Sequence, residues 1–437
     1  MKLKKLVLTT ALALGATGSA HATNWLQLQG TEPAGSAERL KVWGFIQPQY
    51  TYTENTKLKA GPWKGQKAVF NQTAPERKSS NTFQLRRARL GIRGANFPLD
   101  SKTNYFLLVE AGKNGITEFD SAVALTDASI TLNHIPYARV RIGQFKTPGS
   151  EEGLQAIHVF DYINFTNVTD QMMLERFLDE DGSRAGFANG PNGSVSAFRD
   201  IGIQVFDWFD VGEWQHSYAF MVGDGNGLNR TDNNNEKDLY AYWSSEWIFG
   251  GKGARRQGWK MFAWGQSGKR TLDYTFGNPG KRDFDRDRWG FGTTFRKDKY
   301  RAAAEYIYAD GMIFNGSDGG AVPGSTSNNG AATASLNINP NGESEGYYVH
   351  FGYAVIPQIE LDIRYDYLDR MKNVDAAERE FTTLTLGVQY FFNKKTRALV
   401  NYEFRDLDAP DFPSSAPQNE IADSMDDRLT VQLLAIF

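Results

Sequence analysis

The 437-residue chain contains no cysteine. That removes disulfides, thiolate metal sites, covalent haem attachment and a lipid anchor on a processed N-terminal cysteine. Past residue 22 no run of about 18 apolar residues occurs, so no transmembrane helix is expected. Histidine is scarce as well. After residue 22 only His134, His158, His216 and His350 remain, and none has a serine or aspartate beside it in a nucleophile pattern, so no catalytic constellation is expected. Basic residues are not in excess, at 48 Lys+Arg against 51 Asp+Glu, so nucleic acid is not an expected partner. No cofactor motif appears. Asp224 to Glu236 is rich in Asp and Asn, but Leu228 and Asn229 occupy positions that a calcium loop needs for ligands.

What the chain does have is aromatics and alternation. It holds 29 Phe, 19 Tyr and 10 Trp. Leu429, Val431, Leu433, Ala435 and Phe437 share one face of a terminal strand; Arg428, Thr430, Gln432 and Leu434 share the other. In 359–367, Ile359, Leu361, Ile363, Tyr365 and Tyr367 oppose Glu360, Asp362, Arg364 and Asp366. Charges at every second position inside such strands would face the middle of a sandwich or bulk water. They suit a barrel with lipid outside and an aqueous lumen inside.

Period-two segments predict sixteen strands near 40–53, 82–95, 103–111, 124–133, 138–145, 199–207, 213–222, 238–249, 257–267, 286–297, 300–311, 345–356, 358–370, 380–393, 395–406 and 427–437. Their connections alternate in length. The stretches 54–81, 112–123, 146–198, 312–344, 371–379 and 407–426 are long, whereas 96–102, 134–137, Asp298-Lys299, Pro357 and Asn393-Lys394 are short. Short periplasmic turns against longer external loops are the signature of a bacterial outer-membrane barrel. The expectation is an all-β, transmembrane antiparallel β-barrel of sixteen strands over 40–437. A basic start, an apolar Leu6 to Ala16 and Ala20-His-Ala22 predict a cleaved signal peptide over 1–22, followed by a periplasmic segment at 23–39. Export without Lys2, Lys4 and Lys5 leaves 45 basic and 51 acidic residues, a net charge of −6.

Residues 82–95, Thr-Phe-Gln-Leu-Arg-Arg-Ala-Arg-Leu-Gly-Ile-Arg-Gly-Ala, and 139–148, Arg-Val-Arg-Ile-Gly-Gln-Phe-Lys-Thr-Pro, resemble the porin O/P family, the phosphate-selective porins of Gram-negative outer membranes. Tyr162-Ile-Asn-Phe165 and Leu174-Glu-Arg-Phe177 resemble that family's third loop. The resemblance implies a homotrimer of sixteen-stranded barrels in the outer-membrane lipid, each passing small anions or other hydrophilic solutes through a pore narrowed by the third loop folded into the lumen. Arg87, Arg89, Arg93, Arg139, Arg141, Lys146, Arg286 and Arg288 are the expected pore-lining, anion-binding residues. By parity Arg86 faces lipid unless it lies near the rim or at a bulge.

The third loop departs from the pattern. Between Lys146 and Arg184 it carries eight acidic residues, among them Glu151, Glu152, Asp161 and Glu175, against three basic ones. At the constriction these acids would oppose the arginines; at the outer rim they would leave the arginines dominant. Two functions stand: a passive diffusion channel for small anions (phosphate among them) and hydrophilic solutes, or a non-conducting structural or adhesive barrel with a plugged lumen.

Overall fold

The computed structural model describes residues 24–28, 39–54, 57–61, 64–65, 68–69, 81–95, 100–117, 122–175, 195–251, 255–274, 280–315, 332–333 and 337–437. The predicted signal peptide lies outside them, as do Arg176, Asp179, Glu180, Asp181 and Arg184 of the third loop.

Sixteen strands close into one antiparallel barrel: β1 (Lys41–Thr53), β2 (Asn81–Ala95), β3 (Thr103–Glu110), β4 (Ala124–Leu132), β5 (Arg139–Lys146), β6 (Arg199–Val211), β7 (Trp214–Gly223), β8 (Asp238–Gly250), β9 (Gln257–Tyr274), β10 (Gly280–Lys297), β11 (Tyr300–Asp310), β12 (Glu343–Ile356), β13 (Ile359–Arg370), β14 (Arg379–Asn393), β15 (Thr396–Asp408) and β16 (Arg428–Ile436). Each pairs with its neighbours in chain order, and β16 pairs with β1. Each predicted strand has its counterpart. The largest difference is the β9–β10 hairpin, which runs 18 residues on each side.

The alternation is inverted relative to a soluble protein. On β13, Leu361 and Ile363 are 45% and 44% exposed, whereas Asp362 between them is 5% exposed and Arg364 and Asp366 after them are 1% and 0%. Apolar residues cover the outside because lipid replaces water there, and polar ones crowd the inside. Aromatics band the outer face at both ends. Trp247, Trp259 and Tyr300 sit near the short turns; Trp289, Tyr308 and Tyr347 lie toward the long loops, with the Trp289 and Tyr308 rings 5.5 Å apart. Tyr300 and Tyr308 share β11, separated by about 26 Å of strand. That is close to the roughly 25 Å apolar belt of such barrels.

Pro48 decides one detail of the wall. Proline has no N–H to give the ladder, and here the β1–β2 register jumps from Gln47↔Arg87 to Pro48↔Leu85. Arg86 is the extra residue, and the bulge turns it inward, so that Arg86 and Arg87 are both buried. Phe83 and Leu85 face outward before the bulge and Leu90 after it, a parity change of one.

The barrel is sealed where Phe437 N donates to Gly44 O (3.0 Å) and Gly44 N to Phe437 O (3.2 Å). A Cβ on Gly44 would stand 2.5 Å from the Phe437 ring and 2.4 Å from Arg89 O, so only glycine admits this approach. Replacing Phe437 with Asp should sharply lower the yield of assembled protein in outer-membrane fractions, because a carboxylate would take the ring's place in the girdle. A normal yield would mean that the seam does not depend on the ring.

Candidate pore-lining site

The inward row of β2 carries Arg87, Arg89 and Arg93. Arg87 Nη1 donates to Gln47 Oε1 across the bulge (3.1 Å). Arg89 Nε donates to Glu110 Oε2 (2.8 Å), and the other Glu110 oxygen accepts from Ala88 N and Gly112 N. Lys146, at the end of β5, gives two of its three N–H bonds to Gly153 O (2.8 Å) and Gln155 O (2.6 Å). No carboxylate pairs with it among the described residues. Arg199 on β6 holds Asp127 through two nitrogens, at 3.1 and 3.0 Å.

These cations line two hollows whose walls share Arg89, Lys146 and Arg199. The smaller, about 40 Å³, is bordered by Arg86, Arg87, Arg89, Lys146 and Arg199. The larger, about 330 Å³, is bordered by Arg89, Arg93, Lys146 and Arg199, with the exposed Lys41 and Lys395 toward the short turns. Among the described residues Asp127 is the one side-chain carboxylate in its lining, and Arg199 already engages it. The remaining wall of this larger cavity is ring-rich, from Trp25, Trp43, Phe45, Phe106 and His158. Burial, reinforced by Arg397, Arg89 and Lys146, pushes the His158 imidazole down to about 3, so it is a neutral ring there.

The two remaining expected β5 residues are occupied. Arg139 pairs with Asp207 (3.1 Å) and lies 4.0 Å over the Trp208 ring. Arg141 donates to Thr131 Oγ1 and to Leu26 O of the single helical turn Trp25–Leu28, and stacks on Phe206. Trp25 and Leu26 are buried just inside the end that carries the short turns. Arg286 and Arg288 stand on β10, away from the others. Arg286 faces Glu175 at 3.4 Å, and Arg288 is spent on the carbonyls of Met172, Gly311 and Met312.

Residues 147–175 engage the inward rows of distant strands. Glu151 accepts from Lys260 of β9 (2.6 Å) and from Trp25 Nε1 (2.8 Å). Glu152 binds Arg364 of β13 (3.1 Å) and caps Thr166 through its N–H and hydroxyl. Asp161 meets Arg301 of β11 at 2.8 Å, with Arg255 at 3.7 Å and Arg296 at 3.9 Å. Burial opposes its ionisation, yet these guanidinium groups outweigh burial and hold the carboxyl below the ordinary aspartate range. Glu175 bridges Arg270 and Arg286. Further along, Asn164 reaches Glu403 and Asn167 reaches Asp366. All four expected loop acids are therefore paired on the β9–β11 and β13 side, and none with Arg87 or Lys146.

Lys260, Arg270, Arg301 and Arg364 were not expected as partners of the loop. The inward parity of Lys260, Arg301 and Arg364 was readable and Arg270 lay beyond the predicted strand, but the acids they bind lie scores of residues away in sequence. Arg301 shows why. Gly352 stands beside it in register, a Cβ there would come 2.2 Å from Arg301 Nε, and the absence of that Cβ lets the guanidinium cross to Asp362.

Among the described residues, no group of three or more His, Cys, Asp or Glu is placed to hold a metal ion. A comparison with curated proteins finds no match. Among solved structures the fold is similar to OmpF of Salmonella typhi (TM-score 0.53, 14% identity, covering 91% of this chain and 97% of that one). It is similar too to an anion-selective porin from Comamonas acidovorans (0.51, 12%, 91% and 99%) and to a loop L8 deletion mutant of OmpT from Vibrio cholerae (0.52, 11%, 91% and 99%). At such identities the likeness establishes the fold. A family model described as Gram-negative porin matches residues 9–410, nearly the whole barrel with its basic wall, and the chain belongs to that family.

Proposed function

We propose that this outer-membrane porin is a passive diffusion channel preferring small anions, narrowed where residues 147–175 fold into the lumen. One observation carries the reading. The four loop carboxylates Glu151, Glu152, Asp161 and Glu175 are neutralised by cations of β9–β11 and β13, so the basic column of Arg87, Arg89, Arg93 and Lys146 is not opposed by them. The feature that put anion preference in question at the level of sequence thus turns away from the arginines.

Guanidinium groups suit tetrahedral oxyanions, so phosphate is among the solutes such a column would favour. A dedicated phosphate site would appear as inhibition of chloride current by added phosphate. Assembly as a homotrimer, with one pore per protomer, belongs to the same reading.

The test is the reversal potential of the purified protein in a planar bilayer under a KCl gradient. Chloride should set its sign. A potassium-selective potential would reduce the arginines to salt-bridge partners of the wall, and no channel conductance at all would favour the closed, adhesive barrel.

A further inference from the structure

We infer that the larger cavity is a binding site for aromatic carboxylates, a narrower solute class within the anion channel proposed above, on which this inference rests. At about 330 Å³ it falls within the roughly 300–1,000 Å³ of small-molecule sites. Its chemistry has two halves. Charge comes in steps: Lys41 and Lys395 at the exposed mouth, Arg93 half-buried, and Arg89, Lys146 and Arg199 at the deep end. The other half is a cluster of rings. Trp43 stacks on Phe45 and Phe106 at centroid distances of 6.3 and 6.1 Å, and His158 packs against both Trp43 (5.6 Å) and Phe45 (5.3 Å).

A column built only for chloride or phosphate would gain nothing from that second half. Inorganic anions would leave the rings facing water, and a purely apolar solute would leave the cations without a counter-charge. A flat ring bearing a carboxylate satisfies both, its body against the rings and its head on the cations. One donor for that head remains: the third N–H of Lys146 has no protein acceptor among the described residues. The Trp43 ring reaches the cavity because its neighbour in register is Gly91, where a Cβ would lie 3.0 Å from Nε1. His158 adds a ring without adding charge, since its surroundings keep it neutral.

The experiment compares benzoate with acetate as blockers of chloride current through the complete protein in a planar bilayer. Benzoate should interrupt the current with a residence time at least ten-fold longer than acetate. The substitutions Trp43→Leu and Phe106→Leu should each shorten benzoate residence toward the acetate value. Equal residence of the two anions in the wild type would overturn the aromatic site while a chloride-selective reversal potential still upheld the channel. Undiminished benzoate residence in both variants would also overturn it, by placing any benzoate site elsewhere. A potassium-selective wild type would remove the reading on which the site rests.

Discussion

Replacing Arg87 and Lys146 together with glutamine should lower the chloride-to-potassium permeability ratio at least five-fold. Each is a basic side chain with no carboxylate partner among the described residues. Arg87 is held by Gln47, and Lys146 by two backbone carbonyls. A unit charge acting on a passing ion several ångströms away in a medium between water and protein contributes about 1 kcal/mol, a factor of about five. Glutamine keeps donors for the Gln47 and carbonyl contacts, so the wall should survive. Reversal potentials in a KCl gradient measure the ratio. An unchanged ratio would show that permeating ions do not pass this column, and the selectivity assignment would have to be abandoned.

Excising residues 151–173 and joining the ends with a short flexible linker should raise single-channel conductance severalfold. The segment is tied to the inner faces of several distant strands through Lys260, Arg301, Arg364 and Arg288. Removing one partner of a buried ion pair ordinarily costs about 3–5 kcal/mol. Here the orphaned cations would face the water that replaces the segment, so the cost should be smaller. Every strand-to-strand ladder of the barrel is formed without these residues, so assembly should persist. Conductance equal to wild type would place the constriction elsewhere.

The strands were legible because the bilayer imposes period two on every one of them, and the inward direction of Arg87, Arg89 and Arg93 followed from that period alone. The alternation fades where the chain leaves the membrane. Around Lys269, Arg282 and Asp283 there is no lipid to select apolar residues, and the β9–β10 hairpin therefore runs further than its pattern announces. Arg86 could be assigned only conditionally, and Pro48, on a different strand, was the residue that settled it.

Partners were the least legible. Arg301 reaches Asp161 from 140 positions away, and Glu152 reaches Arg364 across 212. Such pairings depend on barrel register, on gaps such as Gly352, and on the path of 147–175. A local pattern holds none of these. His158 looked like an ordinary loop histidine, and its role as a neutral ring against Trp43 arises only once the loop meets β1.

The seam between β1 and β16 has a consequence for synthesis. Gln432 donates to Gln49 across 383 positions of chain, and the ladder from Thr53↔Arg428 to Phe45↔Ile436 is the contact that turns a curved sheet into a tube. A ribosome that stops before Arg428 releases a chain with fifteen strands and two bare edges, each a template for pairing with another chain. Such a product has no watertight form to settle into, however sound its other ladders. Closure of the tube therefore waits on β16, however many strands precede it.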